Sequence, residues 1–158
     1  MFVQNETALW TYDSKGDSSV PRGWIIEGRP IQLVDLGLSV LWANMNLGSV
    51  AQEDYGFYFA WGETTPKKNF NWPGYKYGYA SDKLTKYCPD SSYGNNGYTD
   101  NLTSLVPSDD AANVLLGGGY RIPTSDEMRE LMLNTTREYC TVNSVKGVRL
   151  TSTVAGYH

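Results

Sequence analysis

Histidine is almost missing from this chain of 158 residues, because the one histidine is His158, the last residue of the sequence. Histidine is the base that most often activates a serine or cysteine nucleophile, so such a catalytic pair would have to form at the chain end. A phosphate-binding loop is missing as well, since the glycines at 117–119 are followed by tyrosine and not by Lys-Ser or Lys-Thr. We therefore predict no catalytic residue.

Cysteine is equally sparse, with only Cys88 and Cys140 in the chain. Two cysteines are too few for the disulfide framework of a small secreted domain, and their separation leaves open whether they pair. Neither has a histidine or a further cysteine close by in the sequence. We therefore predict no zinc site.

Positive charge and long apolar runs are also lacking. Lysine and arginine number 13 against 17 acidic residues, which gives a net charge of −4, and the basic residues form no block. Nucleic-acid binding needs basic patches that replace phosphate counterions, so no nucleic-acid partner is expected. The apolar runs are far too short to span a bilayer, so no membrane insertion is expected either.

The first residues, MFVQNETALWTYDSKGD, have neither the basic start nor the apolar stretch of a secretory signal peptide. A chain that begins there would not use the ordinary export route. This fits a phage virion component that is released by lysis, or a shortened chain of a surface protein.

Aromatic residues and glycine are abundant, with 12 Tyr, five Trp and 16 Gly. Large rigid rings offer contact area at little cost in entropy, and their hydroxyl or indole N–H groups add polarity. Two interpretations stay open for any single ring. It can fill the thin core of a loop-rich fold, or it can contact a sugar or a protein.

Four sequence phrases occur in a fixed order: VDLGLSVLWA at 34–43, EDYGFYFAWGET at 53–64, DDAANVLLGGGYRIPTSDEMREL at 109–131 and GVRLTS at 147–152. Together they resemble the domain family first described as the Fibrobacter succinogenes major paralogous domain, which is common in Bacteroidetes surface proteins. That family is similar to the formylglycine-generating-enzyme fold, a C-type-lectin-like scaffold. The YRIPTSDEMREL stretch is similar to a phrase of the same superfamily.

The resemblance implies an α+β, C-type-lectin-like fold: a small twisted antiparallel sheet, two short helices and long irregular loops. We expect helices at about 108–116 and 124–134, the first capped by Ser108 and ended by Gly117, and the second begun by a capping box of Thr124 and Glu127. The sheet is expected from a strand pair within 34–43 that turns at Gly37, a strand at 55–61 and strands at the C-terminal end. Side chains expected to be largely buried are Trp42, Phe59, Trp61 and Leu131.

The domain prediction has two parts. Residues 1–30, with short strands at 8–12 and 24–27, form a β-hairpin that is either an attachment segment or the first hairpin of the domain. Residues 31–158 form the lectin-like domain. The family normally continues through further strands, so we expect either a shortened domain or an incomplete C-terminal end. Unpaired strand edges would follow, and a homo-oligomer such as a trimer, or a larger assembly, would cover them.

The candidate binding surface lies in the long irregular stretch at 63–108, where Tyr, Ser, Gly and Asn are concentrated. If residues 75–79 are extended, alternation places Tyr75, Tyr77 and Tyr79 in one row, with rings about 6–7 Å apart. The opposite interpretation, in which this row faces the core, stays open. The predicted ligand-binding residues are Trp72, Tyr75, Tyr77, Tyr79, Tyr93, Asn95, Asn96 and Tyr98.

Two chemical alternatives involve acidic side chains. A calcium site would use hard oxygen ligands that cluster in one loop, namely Asp90, Asn95, Asp100 and Asn101, although their spacing matches no EF-hand. A glycosidase would need two carboxylates in a cleft. The carboxylates considered for that role are Glu53, Asp54, Glu63, Asp109 and Asp110, and a helix-capping role explains the last two more simply. We predict no resident cofactor.

The leading functional hypothesis is a non-enzymatic binding or adhesion module. It would recognise a glycan or protein receptor, outside the cell, on a phage virion or a Bacteroidetes surface. The first alternative is a structural protein of a virion or surface assembly. A further alternative is a formylglycine-generating-like enzyme, but the cysteines that this branch uses have no counterpart here.

Overall fold

The computed structural model describes residues 11–12 by their backbone, and residues 31–117 and 119–157 in full. The protein mixes helices with small antiparallel sheets, so it is an α+β protein. The chain divides into two compact units, one formed by Met1–Phe57 with Leu116–His158 and the other by Tyr58–Leu115.

A four-stranded sheet organises the first unit. Its strands are β1 (Thr11–Tyr12), β2 (Leu33–Val34), β3 (Leu41–Ala43) and β4 (Tyr120–Arg121), in the order β2-β3-β1-β4. Every neighbouring pair is antiparallel. The expected strand pair at 34–43 is therefore confirmed, and the predicted turn at Gly37 lies between its strands with a φ of 71°, a conformation that glycine adopts without strain.

The helix α2 (Ser125–Leu133) begins as predicted. The hydroxyl of Thr124 accepts the amide of Glu127, and the Glu127 carboxylate accepts the amide of Thr124, which completes the capping box. Arg121 holds the same carboxylate through two hydrogen bonds of 2.5 and 2.8 Å. Mainly through Arg121, and despite partial burial, the pKa of Glu127 falls from 4.5 to about 2.

The core of the first unit forms where α2 meets the sheet and the C-terminal strands. Its buried members are Val34, Leu36, Trp42, Leu131 and Leu150. Trp42 is 0% and Leu131 1% exposed, which confirms the burial predicted for these two residues. Full burial of one such side chain contributes about 1.5–3 kcal/mol, so this cluster is the main apolar support of the unit.

The C-terminal strands form a separate hairpin of β5 (Thr135–Val142) and β6 (Val145–Ser152). The turn residues Asn143 and Ser144 have φ values of 46° and 67°. Positive φ at both central positions is typical of a type I′ turn, whose twist matches that of the strands. The prediction of one sheet that includes these strands was wrong, because β5 and β6 pair with each other.

The strand predicted at 55–61 is absent, since this stretch has no regular secondary structure. Tyr58 and Trp61 are exposed, Trp61 by 48%, while Phe59 is only partly buried. The predicted burial of Trp61 was therefore wrong, whereas Phe59 is partly buried. An apolar run predicts a buried strand only if neighbouring strands cover it, and here the aromatic side chains lie largely at the surface.

The first helix, α1 (Ala111–Leu116), is shorter than predicted. Pro107–Asp109 form a separate turn of 3-10 helix, and the cap is Asp110 rather than Ser108. The Asp110 carboxylate accepts the amides of Ala112 and Asn113. Gly117 follows the helix with a φ of 68°, as its predicted role in ending the helix requires.

Of the N-terminal hairpin, only Thr11–Tyr12 belongs to the described residues, and it is a strand of the main sheet. The rest of the prediction for residues 1–30, including the strand at 24–27, lies outside the described residues.

Candidate functional site

The second unit is held together with almost no regular sheet. Leu84 forms isolated bridges to Gly78 on one side and to Gly94 on the other. Its amide donates to the carbonyl of Tyr93, and its carbonyl accepts the amide of Asn95. Two of the tyrosine-rich stretches of the sequence are thus joined through one central residue.

Asp109 is the main buried polar centre of this unit. Its carboxylate is 4% exposed and accepts hydrogen bonds from the ammonium of Lys86 at 2.5 Å and from the hydroxyl of Tyr87 at 2.8 Å. Lys76 lies 3.4 Å away. Burial alone would raise the pKa of Asp109, but the hydrogen bonds from Lys86, Tyr77, Tyr87 and Lys76 hold it well below its usual range. The carboxylate is therefore a paired, ionised anchor, not the helix cap that the sequence suggested.

Tyr87 adopts an unusual backbone conformation for a residue other than glycine, with a φ of 56°. Such a conformation costs about 1–2 kcal/mol. The surrounding contacts impose it: the amide of Tyr87 donates to Asp100, and its hydroxyl donates to Asp109 while accepting the amide of Val106. Burial raises the pKa of the Tyr87 hydroxyl, which keeps it a donor.

Asp100 forms a second anchor. Its carboxylate accepts the backbone amides of Tyr87, Cys88 and Leu102 and the hydroxyl of Tyr98. Although desolvation opposes it, these donors lower the pKa of Asp100. The two ends of the segment at 89–99 are thus tied together by one side chain.

Five aromatic rings form a continuous chain of edge-to-face contacts. From Trp72 the chain passes to Tyr75, Tyr77, Tyr87 and Trp61, with centroid separations between 5.5 and 6.4 Å. Interplanar angles of 74–88° are favourable because the ring edge is positive and the ring face negative. The chain has a buried middle at Tyr77 and Tyr87, and its two tryptophan ends are exposed.

A pocket of about 500 Å³ opens between the exposed ends of this chain. Its walls are mainly aromatic, with two lysines and one asparagine among them. Its lining residues include Trp61, Phe70, Trp72, Tyr75, Lys67, Lys86 and Asn71. The volume falls in the range of about 300–1,000 Å³ that is typical of sites for small ligands.

Glu63 neutralises one of the two lysines. Its carboxylate, which is 7% exposed, forms a 2.5 Å ion pair with Lys67 and accepts the amide of Lys76. Lys67 also donates to the carbonyl of Gly74 at 2.7 Å. Burial, and then the nearby Glu63 charge, raise the pKa of the Tyr75 hydroxyl.

The predicted ligand-binding residues do not form one surface. The row of Tyr75, Tyr77 and Tyr79 is interrupted, because Tyr77 is only 9% exposed while Tyr79 is 55% exposed. The prediction of three rings on one face was therefore wrong: Tyr77 packs between Tyr75 and Tyr87 instead. Trp72 and Tyr75 line the pocket.

The remaining predicted residues lie around the 3-10 turn Asn95–Gly97. Tyr79 donates its hydroxyl to the side-chain oxygen of Asn95 at 2.8 Å. Tyr93 and Tyr98 are exposed, and Asn96 has a φ of 53°, which asparagine tolerates better than most residues.

Sequence reasoning missed most residues of the pocket, among them Trp61, Phe70, Lys67 and Lys86. Trp61 was assigned to a buried strand. The lysines carried one available signal, since Glu63 and Lys67 are four residues apart with opposite charges. That spacing points to an ion pair only on a helix, and no helix was expected there.

The residues considered for calcium have local partners. Asp90 accepts the amide of Ser92 and Asn95 accepts the Tyr79 hydroxyl, while Asp100 is the anchor described above. In the parts of the chain that the structure describes, no group of three or more His, Cys, Asp or Glu side chains is arranged to hold a metal ion. Cys88, which is buried, and Cys140 are both free thiols.

Comparisons with known proteins give no relative: no family model, no curated protein and no solved structure matches the chain. Among the described residues, no helix has the length and apolar character needed to cross a membrane.

Proposed function

We propose that this protein is a non-enzymatic binding module that recognises a glycan or protein receptor through the aromatic surface of residues 58–115. The observation that carries the proposal is the pocket between Trp61, Phe70 and Trp72. Their rings are exposed to solvent, although burying such large apolar rings would be energetically favourable. Exposed aromatic clusters on a rigid frame are typical of recognition sites.

The rigidity of the frame supports the same proposal. Carboxylates at Asp100 and Asp109 fix the backbone and the inner tyrosines by charge-assisted hydrogen bonds. Such bonds are stronger than neutral ones. Because the outer rings are positioned before a ligand arrives, binding loses less side-chain entropy.

The fold-level part of the proposal is that this is a C-type-lectin-like scaffold of the Fibrobacter succinogenes major paralogous family. The four ordered sequence phrases support it, as do the α+β architecture and the long irregular segment between 58 and 110. On this proposal the protein acts outside the cell, on a phage virion or on a Bacteroidetes surface.

Binding to intact Bacteroidetes cells tests the proposal. We expect saturable binding of the fluorescently labelled protein, measured by flow cytometry, and about tenfold weaker binding of the Trp72→Ala variant. The matched control is Tyr139→Ala, because Tyr139 is an 89% exposed aromatic side chain on the β5–β6 hairpin. It should bind like the unmodified protein.

Equal binding by Trp72→Ala and the unmodified protein would contradict the proposal. If the unmodified protein binds no cells and instead forms concentration-dependent assemblies in light scattering, the alternative of a structural assembly protein is favoured.

A further inference from the structure

The two lysines of the aromatic pocket are already neutralised from within the protein. Lys67 forms a 2.5 Å ion pair with Glu63, and Lys86 lies 2.5 Å from Asp109. Both carboxylates are buried, with side chains 8% and 5% exposed. An anionic ligand would have to compete with these partners and would leave a buried carboxylate without its counter-charge, which is costly.

The charged donors that remain at the pocket are one N–H of Lys67 and two N–H groups of Lys86, on ammonium groups that are already paired with buried carboxylates. Two of the three N–H groups of the Lys67 ammonium are used, by Glu63 and by the Gly74 carbonyl. Among the described residues, the indole N–H groups of Trp61 and Trp72 have no hydrogen-bond partner, and both tryptophans are exposed. These groups suit the oxygen of a hydroxyl or an acetal.

The arrangement of the rings suits a ligand that presents a surface of C–H groups. Trp61 and Trp72 contact their tyrosine neighbours edge to face, at 77° and 74°, so neither takes part in a parallel stack there. An aromatic face is electronegative and attracts the weakly positive C–H groups of a saturated ring. A pocket of about 500 Å³ holds such rings, whereas extended protein interfaces are flatter and larger.

We propose that this pocket binds an uncharged pyranose glycan and discriminates against glycans that carry carboxylate or sulfate groups. This inference rests on the proposed function and names its ligand class. The faces of Trp61 and Trp72 stack on the sugar. The ion pairs Glu63–Lys67 and Asp109–Lys86 set the preference for uncharged over acidic glycans, because both ammonium groups are already neutralised by carboxylates of the protein.

A glycan array with neutral and acidic members tests the ligand class. We expect the bound glycans to be uncharged. The best neutral glycan is then compared by calorimetry with the same glycan after oxidation of its primary hydroxyls to carboxylates, and we expect at least about tenfold weaker binding of the oxidised form. Equal or tighter binding of acidic glycans would overturn the inference, and so would an array with no bound glycan.

Two variants examine the mechanism. Trp61→Ala should weaken binding of the neutral glycan about tenfold, with Tyr139→Ala as the unaffected control. Glu63→Gln, which keeps the acceptor for the Lys76 amide but removes the charge facing Lys67, should narrow the preference for the neutral over the oxidised glycan. A preference that stays unchanged in a folded Glu63→Gln variant would contradict the role given to the ion pair.

The cell-binding experiment separates the two proposals. If Trp72→Ala still reduces cell binding while the array shows no bound glycan, the pocket recognises a protein receptor. In that case the glycan inference fails and the binding-module proposal stands.

Discussion

The hydroxyl of Tyr87 accepts one hydrogen bond and donates another, at a position where the backbone itself is strained. At the scale of single residues, this side chain joins Val106 to the buried Asp109. Polar contacts of this kind replace the apolar contacts that normally define an interior. The strain at Tyr87 is tolerated because side-chain and backbone groups fix the residue together.

Tyr87→Phe removes this hydroxyl but keeps the ring. The variant should be less stable by about 1–3 kcal/mol, since Asp109 loses a donor and the Val106 amide loses its acceptor. Urea denaturation measures the difference. Tyr79→Phe is the control, because its hydroxyl bond to Asn95 lies at the surface. Equal stability of the two variants would show that the buried bond contributes no more than the exposed one.

The contribution of Glu127 to the stability of the folded protein depends on pH. The pKa of Glu127 is about 2 in the folded protein against an ordinary 4.5, so the folded state binds this proton less readily than the unfolded state. The contribution to stability is therefore complete above pH 4.5 and is lost as the pH falls towards 2.

Glu127→Gln tests this dependence. At pH 7 the variant should be less stable by about 1–2 kcal/mol, a figure reduced for solvent screening of the partly exposed Arg121 pair. The difference from the unmodified protein should narrow as the pH is lowered towards 2. A difference that does not change with pH would mean that the Arg121 ion pair does not stabilise the fold.

Among the secondary-structure elements, those with local signals were predictable from the sequence. The α2 helix begins at its capping box, and Gly117 ends α1, because both signals act within a few residues. The strand predicted at 55–61 failed for the opposite reason. Its apolar pattern does not reveal whether another strand covers it, and none of the strands in the described part of the chain pairs with it.

The candidate site was predictable only in part. Of the predicted ligand-binding residues in the segment rich in Tyr, Gly and Asn, Trp72 and Tyr75 line the pocket. The alternation rule failed at Tyr77 because residues 75–79 are not a regular strand. The ion pair of Lys86 depends on turns that bring it to Asp109, which is 23 residues away in the sequence.

The β5–β6 hairpin has a turn that its sequence does not optimise. Ser144 occupies a position with a φ of 67°, where type I′ turns strongly prefer glycine. Ser144→Gly should raise the free energy of unfolding by about 0.5–1 kcal/mol. The strain energy that glycine relieves in the folded state exceeds the free-energy cost of the greater backbone entropy that glycine gives the unfolded chain. Thermal denaturation measures the effect.

Asn143→Gly is the informative comparison for this turn. Asn143 donates a 2.6 Å hydrogen bond to Glu53, which glycine cannot make, so this variant should gain less. A loss of stability in Ser144→Gly would contradict the assignment of the turn.

At the scale of the whole molecule, the two units are stabilised by different chemistry. The buried side chains of the first unit are mostly aliphatic and come from the sheet, α2 and the hairpin. Those of the second unit include Tyr77, Tyr87, Glu63 and Asp109. The net charge and aromatic content of the whole chain therefore describe neither unit by itself. Two of the acidic residues that make the chain negative, Glu63 and Asp109, are ion-paired with the pocket lysines.

Asp100 has a consequence for how this protein can evolve. It holds the segment at 89–99 through the backbone amides of Tyr87, Cys88 and Leu102, which every residue type except proline provides. The side chains at most positions between 89 and 99 can therefore change while the course of the chain is kept. A lineage that alters its target needs to conserve the aspartate, the close backbone approach at Gly94 and the positive φ at Asn96 and Gly97, and has more freedom at the exposed side chains between them.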